Sequence, residues 1–269
     1  MAIEPVKVIL CAHSGSGKTG ANASLAAMGQ RLRYLDLDNG IDILRNLLRD
    51  PQSDYVKRNP KVGENLESVV AITEQRRSAN GKLSIARAEV WPKVSKLLEQ
   101  WIDPVTQRDF GSITSWDTSV TLCVGSFTRL AESALRFVQG INGRLNEHPY
   151  QSDYGDAQNL LRAFLEIITS PDVGCNVVLE AHIESVDDGS GVAQDFPRAI
   201  GKALSPVVGS YFNSLLEIKE VRKDGQITRV INTVPTGTLG VKNTAPFRVA
   251  SALPLATGLA DYFTAVRGS

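Results

Sequence analysis

Residues 12–19 read AHSGSGKT. They stand between an apolar run, VKVILCA (6–12), and a run with Ala, Leu and Met at helical spacing, KTGANASLAAMGQ (18–30). A glycine-bearing turn between a buried strand and a helix is the placement a phosphate-binding loop requires. Such a loop wraps phosphate oxygens in backbone N–H groups, so glycine is needed at Gly15 and Gly17 for close approach and for dihedrals other residues resist. The helix opening near Gly17 adds free amides and the positive end of its dipole. Lys18 is placed to bridge the β- and γ-phosphates of ATP, and the Thr19 hydroxyl to ligate Mg²⁺. His13, Ser14, Gly15, Ser16, Gly17, Lys18, Thr19 and Gly20 are therefore the candidate nucleotide contacts. The pattern G-x-x-x-x-G-K-[ST] is broken only at its first position, where Ala12 adds a methyl group.

The elements that must hold this loop alternate along the chain. RLRYLDLD (31–38) predicts a strand ending in acids, and IDILRNLLRD (41–50) a helix stopped by Pro51. Residues 66–90 predict a strand, a turn at Asn80-Gly81 and a second short strand, and AEVWPKVSKLLEQWI (88–102) a helix despite its early proline. SVTLCV (119–124) and CNVVLEAH (175–182) are further buried strands. Helices are predicted over RLAESALRFVQGI (129–141) and AQNLLRAFLEIIT (157–169). Two polar segments, 142–156 and 183–201, read as loops. Residues 214–237 read as a hairpin turning at Asp224-Gly225. The order implies an α/β fold: a mainly parallel sheet flanked by helices, with a C-terminal antiparallel hairpin.

Composition narrows the class. With 42% hydrophobic and 22% charged residues over 269 positions, an ordinary globular chain is expected, arranged as a single domain over 1–269. The 29 basic and 29 acidic residues balance, so no global field draws the chain to nucleic acid or membrane, and any such contact needs a local patch. Cys11, Cys123 and Cys175 each lie in an apolar run, without metal-ligand spacing, and are expected as reduced core residues in a cytoplasmic protein. There is no basic-then-apolar leader and no apolar stretch near the ~18 residues of a membrane span, so neither secretion nor membrane insertion is expected.

Taken in order, AHSGSGKT, YLDLDNG, SWDTSVTLCVGSFTRL, YGDAQNLLRAFLEII, NVVLEAHIES, DFPRAIGKALSPVVGSYFN and VKNTAPFRV resemble the phage-encoded single-domain RecA-like P-loop ATPases. These are called phage nucleotide-binding proteins of the AAA type, and some act in single-strand DNA recombination. The resemblance implies a RecA-like P-loop NTPase fold, an ATP and Mg²⁺ requirement, and a host-cytoplasmic location. It implies that Asp38 orients the attacking water, with Asp36 on the same face; a solvated strand end with an Asn39-Gly40 turn is the alternative. It implies that His182 senses the γ-phosphate, against the alternative of a satisfied core histidine. It implies that Lys242 reaches the nucleotide of a neighbouring subunit in a ring or filament, against an exposed loop lysine. Lys18, Asp38, His182 and Lys242 thus form the expected catalytic set, with Thr19 at the metal.

One departure bears on turnover. In that family the strand matching VTLCV runs into Asp-Ser-x-Thr, whose aspartate holds the Mg²⁺ shell, whereas here the sequence is Gly125-Ser126-Phe127-Thr128. Asp117 is too far back along the strand to substitute, and Asp38 is the nearest expected stand-in. Such an aspartate acts on Mg²⁺ through water, so phosphate binding should survive its loss better than hydrolysis. Two readings follow: an oligomeric ATPase acting on single-stranded DNA, slow or dependent on assembly, or a nucleotide-gated assembly protein with little hydrolysis. A small-molecule kinase is disfavoured because no arginine-rich lid is seen. For single-stranded DNA, 142–156 offers Arg144, His148, Tyr150 and Tyr154, and 183–199 is acidic with Glu184, Asp187, Asp188 and Asp195. Arg76, Arg77, Lys82 and Arg87 form the densest basic stretch.

Overall fold

The strand that delivers the phosphate loop, β1 (Lys7–Ala12), lies inside a nine-stranded sheet of order β11-β10-β9-β1-β7-β6-β2-β3. The structure, a computed structural model, describes residues 4–79, 82–187, 193–223 and 225–268. The other strands of the sheet are β2 (Arg31–Asp36), β3 (Leu66–Ala71), β6 (Val120–Gly125), β7 (Asn176–Asp187), β8 (Ala193–Pro197), β9 (Ser214–Lys223), β10 (Gln226–Asn232) and β11 (Ala252–Pro254). β9, β1, β7, β6, β2 and β3 run parallel, while β10 and β11 extend one edge antiparallel and β8 pairs antiparallel with the end of β7. β4 (Gln75–Ala79) and β5 (Lys82–Arg87) form a separate two-stranded hairpin. Its predicted turn at Asn80-Gly81 lies outside the described residues.

Helices cover both faces because successive strand residues face opposite ways. In β1, Ile9 and Cys11 join one apolar cluster while Val8, Leu10 and Ala12 join the other. The first cluster is closed by α5 (Val90–Glu99), α6 (Phe127–Ile141), α7 (Gln151–Thr169) and α8 (Gly201–Val208). The second is closed by α1 (Lys18–Ala21), α2 (Ala23–Ala27), α3 (Asp42–Arg49) and α9 (Gly258–Arg267), with Tyr55 and Val56 of α4 (Asp54–Arg58) packed beside them. The sheet therefore sits between two helical layers, with strands reading as near-continuous apolar runs because both faces are buried. The three cysteines are free and buried, as their apolar runs require. Pro92 is accommodated in the first turn of α5, where its missing N–H has no intrahelical partner to lose.

Several predicted boundaries move. The helix expected over 18–30 is divided at Asn22, whose side chain is turned inward. The loop expected over 142–156 ends at Tyr150, because Asp153 is buried in the first turn of α7 and accepts from the Tyr150 amide, the Asn142 amide group and the Arg144 guanidinium. The loop expected over 183–201 is instead the β7–β8 hairpin, with Ser185 and Thr238 donating to Asp195, followed by α8. Its tip, including Asp188, lies outside the described residues, as does Asp224 of the β9–β10 turn; Gly225 there takes φ 76°. Where two strands are expected over 66–90 there are three, and the sequence pattern gives no sign of β11. Among the described residues no helix is long and apolar enough to cross a membrane.

Candidate functional site

The loop after β1 takes the conformation its glycines permit. Gly15 has φ 78° and Gly17 φ 97°, in the left-handed region that resists side chains. At Gly17 a Cβ would also approach Leu255 Cδ2 to 2.9 Å. His13, Ser14 and Gly15 are exposed, Ser16 is buried, and Gly20 packs against Leu47 from α1. Beside Gly17 and Gly20 opens a cavity of about 1050 Å³ walled by Leu47, Tyr55, Arg229 and Leu255. Apolar walls with a few polar groups suit a planar ring attached to a phosphate chain.

Lys18 is buried beneath the loop. Its Nζ donates to the carbonyls of Ala12 (3.2 Å) and His13 (3.1 Å) and to His182 Nδ1 (3.3 Å). An ammonium can only donate, so Nδ1 accepts and a neutral His182 carries its proton on Nε2. That Nε2 faces Asp38 Oδ2 at 3.7 Å, and Asp38 Oδ1 lies 3.5 Å from Arg129 Nε. The β1–β7 pairing makes this chain possible by setting Ala12 opposite His182 at the sheet's C-terminal edge. Burial pulls the Lys18 pKa down, opposed by the charges of Glu180 and Asp38. Burial pushes the Asp38 carboxyl up, but His182, Ser126 and Arg129 outweigh it and hold it below the usual carboxylate range. Lys18, Asp38 and His182, far apart in sequence, are thus in one line of contacts.

Asp36 does something different from Asp38. It is buried, and its carboxylate accepts from the amides of Asp38, Gly40 and Ile41, which fixes the turn that presents Asp38. His182 is also tied through its backbone. Its amide donates to Thr128 Oγ1, which in turn donates to the Arg198 carbonyl, and its own carbonyl accepts from the Arg198 amide at 2.7 Å. A displacement of His182 therefore acts directly on the end of the β7–β8 hairpin.

The carboxylate at Thr19 is Glu180, a residue that no sequence motif marks, and not Asp38. Thr19 Oγ1 donates to Glu180 Oε2 (3.0 Å), while Tyr34 Oη (2.7 Å) and Asn22 Nδ2 (2.8 Å) donate to Oε1. Burial pushes the Glu180 carboxyl up to about 7 against the pull of these donors and of Lys18. A hydroxyl beside a carboxylate is a pair of hard oxygen groups, the chemistry Mg²⁺ prefers, so Thr19 and Glu180 fit the cation that accompanies a nucleotide. Among the described residues no cluster of three or more His, Cys, Asp or Glu could hold a metal without the nucleotide's help. One signal was present in the sequence: a glutamate inside the apolar run NVVLEAH is unusual unless it is paired or functional.

Lys242 is not brought to the loop of its own chain. Its backbone pairs with Leu215 and its side chain is exposed, with no ion pair among the described residues. The DNA-contact candidates are redistributed. Arg144 is committed to Asp153 and stacks 4.3 Å from the Tyr150 ring centroid. Asn146 exchanges hydrogen bonds with the Ile85 backbone, so the 142–150 loop lies against the β4–β5 hairpin that exposes Arg76, Arg77 and Arg87. His148 and Tyr150 are exposed on that loop.

No protein-family model matches the chain, and no curated protein matches it. Solved structures similar to it include a KaiC-like protein of the archaeon Pyrococcus horikoshii, at 12% identity over 85% of this chain and 78% of that one, TM-score 0.41. The flagellar accessory protein FlaH of Methanocaldococcus jannaschii is similar at 9% identity over 93% and 84%, TM-score 0.43. The RadB recombinase is similar at 13% identity over 86% and 81%, TM-score 0.44. At these values the chemistry of the site rests on its own residues.

Proposed function

We propose that this chain is a RecA-like ATP-binding protein of the phage nucleotide-binding type that hydrolyses ATP slowly or only on assembly and acts on single-stranded DNA as an oligomer. The observation that carries the reading is the line Lys18–His182–Asp38 at the mouth of a loop with the phosphate-binding sequence and its two left-handed glycines. The amides of residues 13–19 hold phosphate oxygens, and the ring and sugar of the nucleotide take the cavity beside Gly17. Lys18 exchanges the Ala12 and His13 carbonyls for phosphate oxygens, a stronger partner for an ammonium. That exchange releases His182 Nδ1, so the imidazole reports an occupied loop to Arg198 through Thr128. Asp38, kept ionised by His182, Ser126 and Arg129 against its burial, orients the attacking water. Mg²⁺, held through Thr19, supplies charge neutralisation on the phosphates.

Assembly enters through Lys242, whose exposed side chain makes no ion pair among the described residues; Lys242 of a neighbouring copy is proposed to bring a cation to the γ-phosphate. The basic hairpin and the 142–150 loop form one exposed surface with cations for a DNA backbone and rings for bases. Negative-stain electron microscopy with ATP, and with ATP plus single-stranded DNA, tests the proposal. Rings or filaments that require ATP support it. Monomers under every condition, with no DNA binding at low salt, contradict the oligomeric and DNA parts.

A further inference from the structure

We propose that Glu180 is the carboxylate that organises the nucleotide's divalent cation in this chain, in place of an acid at Gly125; the inference rests on the nucleotide-binding reading above. The β6–β7 pairing sets Gly125 directly opposite Glu180. Glu180 and Val178 lie two residues apart on one face of β7, and Gly125 and Cys123 do so on β6; Val178 and Cys123 both belong to the cluster under α1 and α2. A side chain at 125 would therefore enter the same space as that of Glu180. The space is filled: a Cβ on Gly125 would overlap the Tyr34 hydroxyl oxygen and stand 2.8 Å from Tyr34 Cζ. Glycine at 125, tyrosine at 34 and glutamate at 180 are thus mutually dependent, with the Tyr34 hydroxyl bonded to the very carboxylate that takes over.

The alternative is that Glu180 is a structural tie among Tyr34, Asn22 and Thr19. Its surroundings argue otherwise. The carboxylate is buried, its three donors are neutral, and no ion pair reaches it among the described residues; Lys18, the cation whose charge acts on it, bonds elsewhere. Burying a carboxylate without a cation in contact is costly. The arrangement becomes favourable when a cation arrives at Thr19, which makes Glu180 a positioning residue that acts through the Thr19 hydroxyl and the cation's water shell.

The test is equilibrium binding of a fluorescent ADP to the full chain in Mg²⁺ and in EDTA, for the wild type, Glu180→Gln and Glu180→Asp, with Mn²⁺ binding to the nucleotide complex followed by electron paramagnetic resonance. The wild type is expected to bind about tenfold or more tightly in Mg²⁺ than in EDTA, a difference of roughly 1.4 kcal/mol. Glu180→Gln keeps the shape and the EDTA affinity but loses most of the Mg²⁺ gain and the Mn²⁺ signal, and Glu180→Asp falls between. A Glu180→Gln protein with the full Mg²⁺ gain overturns the inference, as does a wild type indifferent to Mg²⁺. A purely structural role would instead change both affinities together. If Glu180→Gln does not fold, Glu180→Asp decides: an undiminished Mg²⁺ gain there overturns the inference. A wild type that binds no nucleotide in either buffer overturns the nucleotide-binding reading itself.

Discussion

Gly125 and Glu180 face each other across one pair of strands, and the exchange between them decides how the site behaves. Gly125→Asp, which on sequence grounds would repair a damaged metal shell, should do harm. The new Cβ meets Tyr34, and the new charge is buried beside Glu180, so a loss of at least about 2–3 kcal/mol in denaturant unfolding is expected, with no gain in turnover. Glu180 also gives the fold a pH dependence. Its folded pKa of about 7 is raised above the ordinary 4.5, so between these values the folded chain holds more proton than the unfolded one. The stability it contributes is full below about pH 4.5 and is lost as pH rises through 7. In EDTA without nucleotide, the melting temperature of Glu180→Gln relative to wild type should therefore climb between pH 5 and pH 8; a constant difference would contradict the burial argument. The roles of these two residues are hard to read from sequence because they depend on register between distant strands. Lys18 and Thr19 are legible from local spacing, whereas nothing local tells that residue 180 stands beside residue 125.

At the scale of elements, the parallel core was legible because fully buried strands are continuous apolar runs and the helices between them keep their period. Of the peripheral pieces, the β9–β10 hairpin was legible from its Asp-Gly turn, whereas β8 and the start of α7 were not. β8, AQDFP, is too short to show a period, and the first turn of α7 is polar; both are held by side-chain partners, Asp195 in one case and Asp153 in the other. Such pairings leave no hydrophobic pattern to detect. The same partners narrow the DNA surface. Arg144 is withdrawn by Asp153, which leaves the exposed Arg76 and Arg77 of β4 as the cations to test. Arg76→Ala/Arg77→Ala should weaken single-stranded DNA binding and flatten the plot of log affinity against log salt by roughly 0.7 for each phosphate the protein no longer neutralises. Unchanged affinity and slope would remove this hairpin from the interface.

For the whole molecule, the proposed function takes the phosphate loop, cation pair and water-orienting acid at the C-terminal edge of β1 and β7 from one chain and assigns the outer cation to a second. Lys242→Ala is accordingly expected to leave ATP affinity within about twofold while reducing turnover tenfold or more at protein concentrations where the wild type assembles, consistent with the worth of a charge supplied in trans. Phosphate release measured across a protein dilution series checks this, and an equal rate per chain at all dilutions would contradict it. The expectations about turnover and assembly stand on ATP entering the loop at residues 12–19. The most direct measurement is isothermal titration of ATP with Mg²⁺ into the wild type and into Lys18→Ala. The account predicts saturable binding of one ATP per chain, weakened roughly ten- to a hundredfold when the lysine's charged contacts are removed. No heat of binding in the wild type, or equal affinity in Lys18→Ala, would contradict it.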